Sequence, residues 1–230
     1  MDIKRTVVKV KFLFFSIICL FFFRSAYSQV HDFGLWYGVN SEIKLNKKLE
    51  IDLSAMLRTF NNASKTEQAF LEGGLSYKFN KYLSVGGSYR LTNTLEDDDK
   101  FHIRHKFMSD LKGTLPLNDF TFSARIRLQV QSRTYFEPGD DKTPDLTGRI
   151  KLKGIYNIPK FPVNPFLSFE SFSALFENSD RLIGKERISA GIEYNIIKKH
   201  SVGAEYIYEK DFIPKNSVIS IISLSYNVKF

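Results

Sequence analysis

The sequence predicts an all-β protein that closes into an antiparallel transmembrane barrel of 10–12 strands. Three observations predict it. From Phe33 onward the chain divides into strand-length segments that alternate apolar and polar residues. The connections between these segments alternate between short and long. The chain also opens on an export signal and finishes on a strand whose last residue is aromatic, Phe230. A side-chain period of two belongs to a strand and not to a helix.

Residues 1–28 read as a cleaved signal peptide, and residues 29–230 as the barrel. Lys4, Arg5, Lys9 and Lys11 form a basic start, and Phe12 to Phe23 is an apolar run. Ala26 and Ser28 put small residues at the −3 and −1 positions, so cleavage is expected before Gln29. The run falls short of the roughly 20 residues that a spanning helix needs. The only cysteine, Cys19, lies within it, so the mature chain has no disulfide, thiol nucleophile or thiolate metal site. The signal also holds five of the 33 basic residues and one of the 25 acidic ones, which leaves a mature net charge of +4. That is too mild a charge to predict a nucleic-acid partner.

Eleven segments are legible, near 33–45, 49–59, 67–79, 82–92, 101–115, 120–131, 145–157, 163–175, 185–195, 200–210 and 216–230. The first hairpins recur at 34-residue spacing, from Phe33, Glu67 and Phe101. Asn46 and Asn80 sit in two similar turns, where Asn tolerates left-handed backbone angles. Connections near 46–48, 80–81, 116–119, 158–162 and 196–199 are short; those near 60–66, 93–100, 132–144, 176–184 and 211–216 are mostly longer. Short turns on one side and long loops on the other predict an outer-membrane barrel with periplasmic turns. Bacterial single-chain barrels have even strand counts, so eleven segments predict 10 or 12 strands: either a further strand is hidden, or one segment, 33–45 before the others, does not span.

The faces follow from the alternation. Leu49, Ile51, Leu53, Ala55 and Leu57 interleave with Glu50, Asp52, Ser54, Met56 and Arg58. Phe120, Phe122, Ala124, Ile126 and Leu128 interleave with Thr121, Ser123, Arg125, Arg127 and Gln129. So highly charged a polar face predicts the membrane arrangement, apolar outside. Two aromatic belts support it. Phe79, Tyr82, Phe120, Phe122, Tyr156 and Phe161 lie on the short-turn side. Phe60, Tyr89, Phe101, Tyr135, Phe136, Phe176 and Phe212 lie on the loop side. Lipid offers no water to an open sheet edge, so the barrel must close. Tyr226, Val228 and Phe230 form the expected C-terminal insertion signal.

Trp36, Arg58, the turn Leu45-Asn46-Lys47-Lys48-Leu49, the stretch from Gly74 to Arg90 and Arg104-His105-Lys106-Phe107 resemble the bacterial outer-membrane barrel family known as domain of unknown function 2490. The resemblance covers most of the mature chain. It implies a fold and an outer-membrane location, and carries no catalytic residues with it.

With the polar face inward, segments five to seven line the lumen with Arg104 and Lys106, then Arg125 and Arg127, then Arg149, Lys151 and Lys153. Asp110 is read as their only acid. The acids lie elsewhere: Glu42, Glu50, Asp52 and Glu72 on the first three segments, and Glu170, Glu193 and Glu205 on segments eight to ten. These sets face each other across the ring. They predict either a narrow pore with a transverse field or a salt-bridged plug, since small barrels can be filled by side chains.

Signals for chemistry are weak. His102 faces inward near the outer rim, with Ser132 or Thr134 at similar height, and Asp110 lies too far down to orient it. His105 has the lipid-facing parity. Glu96 to Asp99 and Glu137 to Asp141 are acidic loop clusters without calcium-loop spacing. No cofactor and no metal site are expected. The expected function is therefore a narrow pore or structural barrel with a charged lumen. The alternatives are an enzyme acting on outer-membrane lipid through His102 and a barrel that binds a partner through its loops. Expected partners are outer-membrane lipid and lipopolysaccharide, the barrel-assembly machinery during insertion and a small charged solute.

Overall fold

In the computed structural model, residues 30–136, 142–175, 183–212 and 216–230 are described. The signal segment, Phe176 and the 137–141 acidic cluster lie outside them. The described residues form eleven strands: β1 (Val30–Lys44), β2 (Leu49–Phe60), β3 (Lys65–Lys78), β4 (Leu83–Leu95), β5 (Phe101–Leu117), β6 (Phe120–Arg133), β7 (Asp145–Tyr156), β8 (Val163–Ala174), β9 (Lys185–Ile197), β10 (His200–Asp211) and β11 (Ser217–Lys229). Each sequence segment has its strand.

The strands close into one barrel in chain order, with β1 beside β11. The eleven strands are the eleven segments of the sequence, inside the expected 10–12, and only the parity argument for 10 or 12 fails. Consecutive strands pair antiparallel, so an odd count leaves β1 and β11 running the same way. The seam is accordingly parallel: the Phe230 N–H donates to the Glu42 carbonyl at 2.8 Å, and the Lys44 N–H donates to the Phe230 carbonyl at 3.2 Å. One residue bonding to two that flank its partner is the parallel pattern. Segment 33–45 is thus a regular strand, and the even-count rule yields to closure through a parallel pair.

The two resembling turns are equivalent. Asn46 Oδ1 accepts the N–H groups of Lys48 and Leu49 at 2.8 and 2.9 Å. Asn80 Oδ1 accepts those of Tyr82 and Leu83 at 2.8 and 3.0 Å. The expected left-handed backbone is not their device. Positive φ occurs instead at Asn61, Asn62, Ala63, Asp99, Asn118 and Lys160; Asn46 and Asn80 act through the side-chain oxygen, which replaces missing ladder partners. The 61–64 turn is tight despite lying on the loop side, because Asp32 accepts the N–H groups of Asn61 and Asn62 at 2.9 and 2.8 Å.

Apolar side chains point out. Leu71, Leu167 and Phe107 are at least 60% exposed, as a lipid-facing wall requires. Phe79, Tyr82, Phe120, Phe122, Tyr156 and Phe161 are exposed near the short turns. His105 faces outward, with Nδ1 2.6 Å from the Tyr89 hydroxyl. Tyr135 departs from the expected belt: it stacks on inward-facing His102 with ring centres 4.2 Å apart. The buried apolar cluster lies inside the long-loop half, where Trp36, Ile207 and Ile221 pack with Met56 and Ile219.

Candidate functional site in the barrel lumen

The long-loop half of the lumen is crossed by an alternating ladder of arginines and aromatic rings. Arg90 on β4 lies 3.9 Å from the centre of the Phe70 ring on β3. Arg58 on β2 lies between that ring, at 5.1 Å, and Trp36 on β1, at 3.8 Å. Arg187 on β9 contacts the other end of the run, 5.1 Å from Trp36 and 4.8 Å from Phe172 on β8. Arg149 on β7 then lies 4.4 Å from Phe172. The step from Trp36 to Arg187 passes over β10 and β11, so the ladder cuts a chord across the barrel. Each cation faces a ring's negative π surface, an attraction that strengthens when water is excluded.

Carboxylates neutralise the ladder. Glu72 accepts from Arg90 at 2.5 Å, Glu170 from Arg149 at 2.7 Å, and Glu209 pairs with Arg187. Lys185 adds a bond to Glu209 at 2.9 Å. Arg58 has no carboxylate within 4.0 Å among the described residues; its Nε lies 3.3 Å from the Met56 sulfur.

All the predicted lumen residues fall on the inward parity, and their pairings are local. Arg127 forms a two-pronged pair with Asp110, both bonds 2.6 Å. Arg125 shares Glu170 with Arg149, at 2.9 Å. Arg104 is held by Glu96 of the β4–β5 loop through bonds of 2.6 and 2.5 Å. Glu50 pairs with Lys78. Glu205 and Glu193 accept from Ser189 and Ser201 at 2.5 and 2.7 Å. The arginines of the basic strip are thus held by Glu96, Asp110 and a shared Glu170, while Lys106, Lys151 and Lys153 have no carboxylate within 4.0 Å among the described residues. Asp110 is not the only acid of β5–β7, because β7 begins at inward Asp145, which accepts from Gln131 at 3.2 Å.

Below the ladder the lumen widens into a charged cavity of about 690 Å³ on the short-turn side. Glu42, Asp52, Lys112, Lys151 and Lys153 line it.

At the outer rim, His102 Nε2 lies 2.9 Å from Asp98, not from Asp110. The hydrogen bond with His102 holds the Asp98 carboxyl below its ordinary value. Neither candidate nucleophile is poised toward the ring. Thr134 donates its hydroxyl to the Ile103 carbonyl at 2.7 Å, and Ser132 stands opposite outward-facing His105.

Arg90, Arg187 and Glu209 are lumen groups that the alternation had not singled out; Arg58 stands on its expected polar face, and Trp36 had entered only through the family likeness. The signal was the aromatic at an otherwise polar parity: Trp36, Phe70 and Phe172 all interrupt inward faces.

The family model described as "Protein of unknown function (DUF2490)" matches residues 33–218. The chain belongs to this family. Its fold is also that of known outer-membrane barrels. The NanC porin superposes with a TM-score of 0.54 at 13% identity, over 81% of this chain and 93% of that one. The β domain of the Bordetella autotransporter BrkA gives 0.46 at 13% identity, over 80% and 82%. LpxR from Salmonella typhimurium gives 0.48 at 8% identity, over 79% and 83%. A search of the curated proteins finds no match. The protein is a closed β-barrel with the fold of the NanC porin, and these likenesses are of fold alone.

Proposed function

We propose that this barrel is closed at rest in its long-loop half and serves as a narrow, charge-lined structural barrel, not as an open porin. The observation that carries the reading is the arginine–aromatic ladder, which runs from β4 to β7 by way of β1 and crosses the lumen with stacked rings and guanidinium groups. Eleven strands leave an interior that side chains can fill. Carboxylates on three of the ladder's four arginines also weaken, at that level, the positive field that an anion pore would use.

The reading is non-enzymatic. His102 is engaged by Asp98 and Tyr135, the Thr134 hydroxyl is given to the Ile103 carbonyl, and a nucleophile needs its base within hydrogen-bond reach. Outer-membrane lipid, lipopolysaccharide and the assembly machinery are the partners this role needs, and the short turns face the periplasm.

Single-channel recording of the purified, heat-modifiable protein in planar bilayers, at two salt concentrations, tests it. The expected record is silent at rest. Steady, discrete, anion-selective steps from the native protein would overturn the closed reading.

A further inference from the structure

We propose that the short-turn half of the lumen is a binding site for a small zwitterion whose ammonium and carboxylate are well separated, such as a short peptide with free ends. The cavity there measures about 690 Å³, inside the range of roughly 300–1,000 Å³ typical of ligand pockets. Its room is written in the sequence. At this height the inward positions of β3 and β4 are Gly74, Ser76, Ser84, Gly86 and Ser88, which reach little beyond the backbone, and Lys78, which is held by Glu50.

One wall is basic. Lys112 on β5 and Lys151 and Lys153 on β7 line it. The carboxylates of the adjoining strands are already engaged: Asp110 by Arg127, and Glu170 by Arg125 and Arg149. Among the described residues no carboxylate lies within 4.0 Å of any of the three lysines. Lys153 rests instead 3.8 Å from the centre of the Phe166 ring.

The facing wall is acidic. Asp52 is exposed to the cavity and has no cation within 4.0 Å among the described residues. Glu42 has Lys44 at 3.8 Å, whose side chain is 54% exposed. The walls lie at one depth: Asp52 and Lys153 each stand three residues from the short-turn end of their strands.

Opposed, unmatched charges in one layer select a ligand that carries both signs. A dianion meets the lysines and sets its second charge against Asp52 and Glu42. A dication meets the reverse problem. A zwitterion of matching length satisfies both walls and leaves no buried charge uncompensated. This inference uses the closed-barrel reading only for the cavity's upper boundary.

The test is calorimetric titration of the full, detergent-folded chain at low ionic strength. Triglycine is the zwitterion, glutarate the dianion and putrescine the dication. Triglycine is expected to bind at least tenfold more tightly than either, and more weakly as salt screens the walls. Asp52→Asn and Lys153→Gln, both on the cavity surface, are each expected to weaken triglycine at least fivefold. Asp52→Asn is expected to improve glutarate. Glutarate binding as tightly as triglycine, or triglycine affinity unchanged in both variants, would overturn the proposal. A conducting barrel that still binds triglycine would fail the closed reading and leave this one standing. A silent barrel indifferent to triglycine would fail this one alone.

Discussion

The guanidinium carbon of Arg58 sits 3.8 Å from the centre of the Trp36 ring, and the two residues are direct partners in the β1–β2 ladder. Arg58 has no carboxylate at hand, so the aromatic faces on either side supply the polarisable surroundings that its charge needs. Trp36 is 6% exposed. It is the one ring of the ladder in contact with both Arg58 and Arg187.

Trp36→Ala is therefore expected to open the lumen and loosen the barrel. Truncating a buried aromatic costs roughly 3–5 kcal/mol. The variant should show discrete conductance in planar bilayers and a lower unfolding temperature. A variant as silent as the native protein would mean that the ladder is not the closing element.

Arg58→Lys is expected to behave more like the truncation than like the native chain. A lysine keeps the charge but not the planar surface that stacks between Trp36 and Phe70. Conductance and thermal stability measured together check this, with Arg58→Met expected to stay closed because it keeps the volume and removes the charge.

Glu170→Gln is expected to be the most damaging single charge removal. Glu170 is 4% exposed and accepts from both Arg125 and Arg149. Breaking a buried pair leaves an uncompensated cation at a cost of about 3–5 kcal/mol. Adding Arg149→Gln should recover part of the loss. Denaturant or heat unfolding of the single and double variants measures the coupling.

The β4–β5 loop is expected to loosen in acid. Asp98 titrates below its ordinary value because of His102, and it also accepts the Lys100 N–H at 3.1 Å. The folded carboxyl thus takes its proton at lower pH than the unfolded one. The contact's contribution is fully present above the ordinary aspartate value of about 3.9 and is lost as pH falls through the lowered folded value. Amide exchange at Lys100 should speed up over that window, and Asp98→Asn should remove the dependence.

Strand existence, order and facing were legible because alternation is a local property. Leu49 to Arg58 declares its two faces without reference to any other strand. The boundaries missed by a few residues where pairing continues past the apolar pattern. Polar Thr94 pairs with His102, and Leu95 with Phe101, so β4 runs on to Leu95. A polar residue there reads as loop, although its backbone is still bonded to a neighbour.

Alternation along the chain was enough to specify an outward-apolar barrel and the inward set of charges, because a period of two assigns each side chain to a face. Only the tertiary structure decided how the ring closes and which charges meet. Closure brings Glu42 and Lys44 to Phe230, far apart in the chain, in a parallel pair that no local pattern encodes. It also sets the stagger of every strand against the barrel axis. That stagger delivers Glu170 to two arginines and Trp36 to Arg187, and leaves Asp52 facing lysines it does not touch.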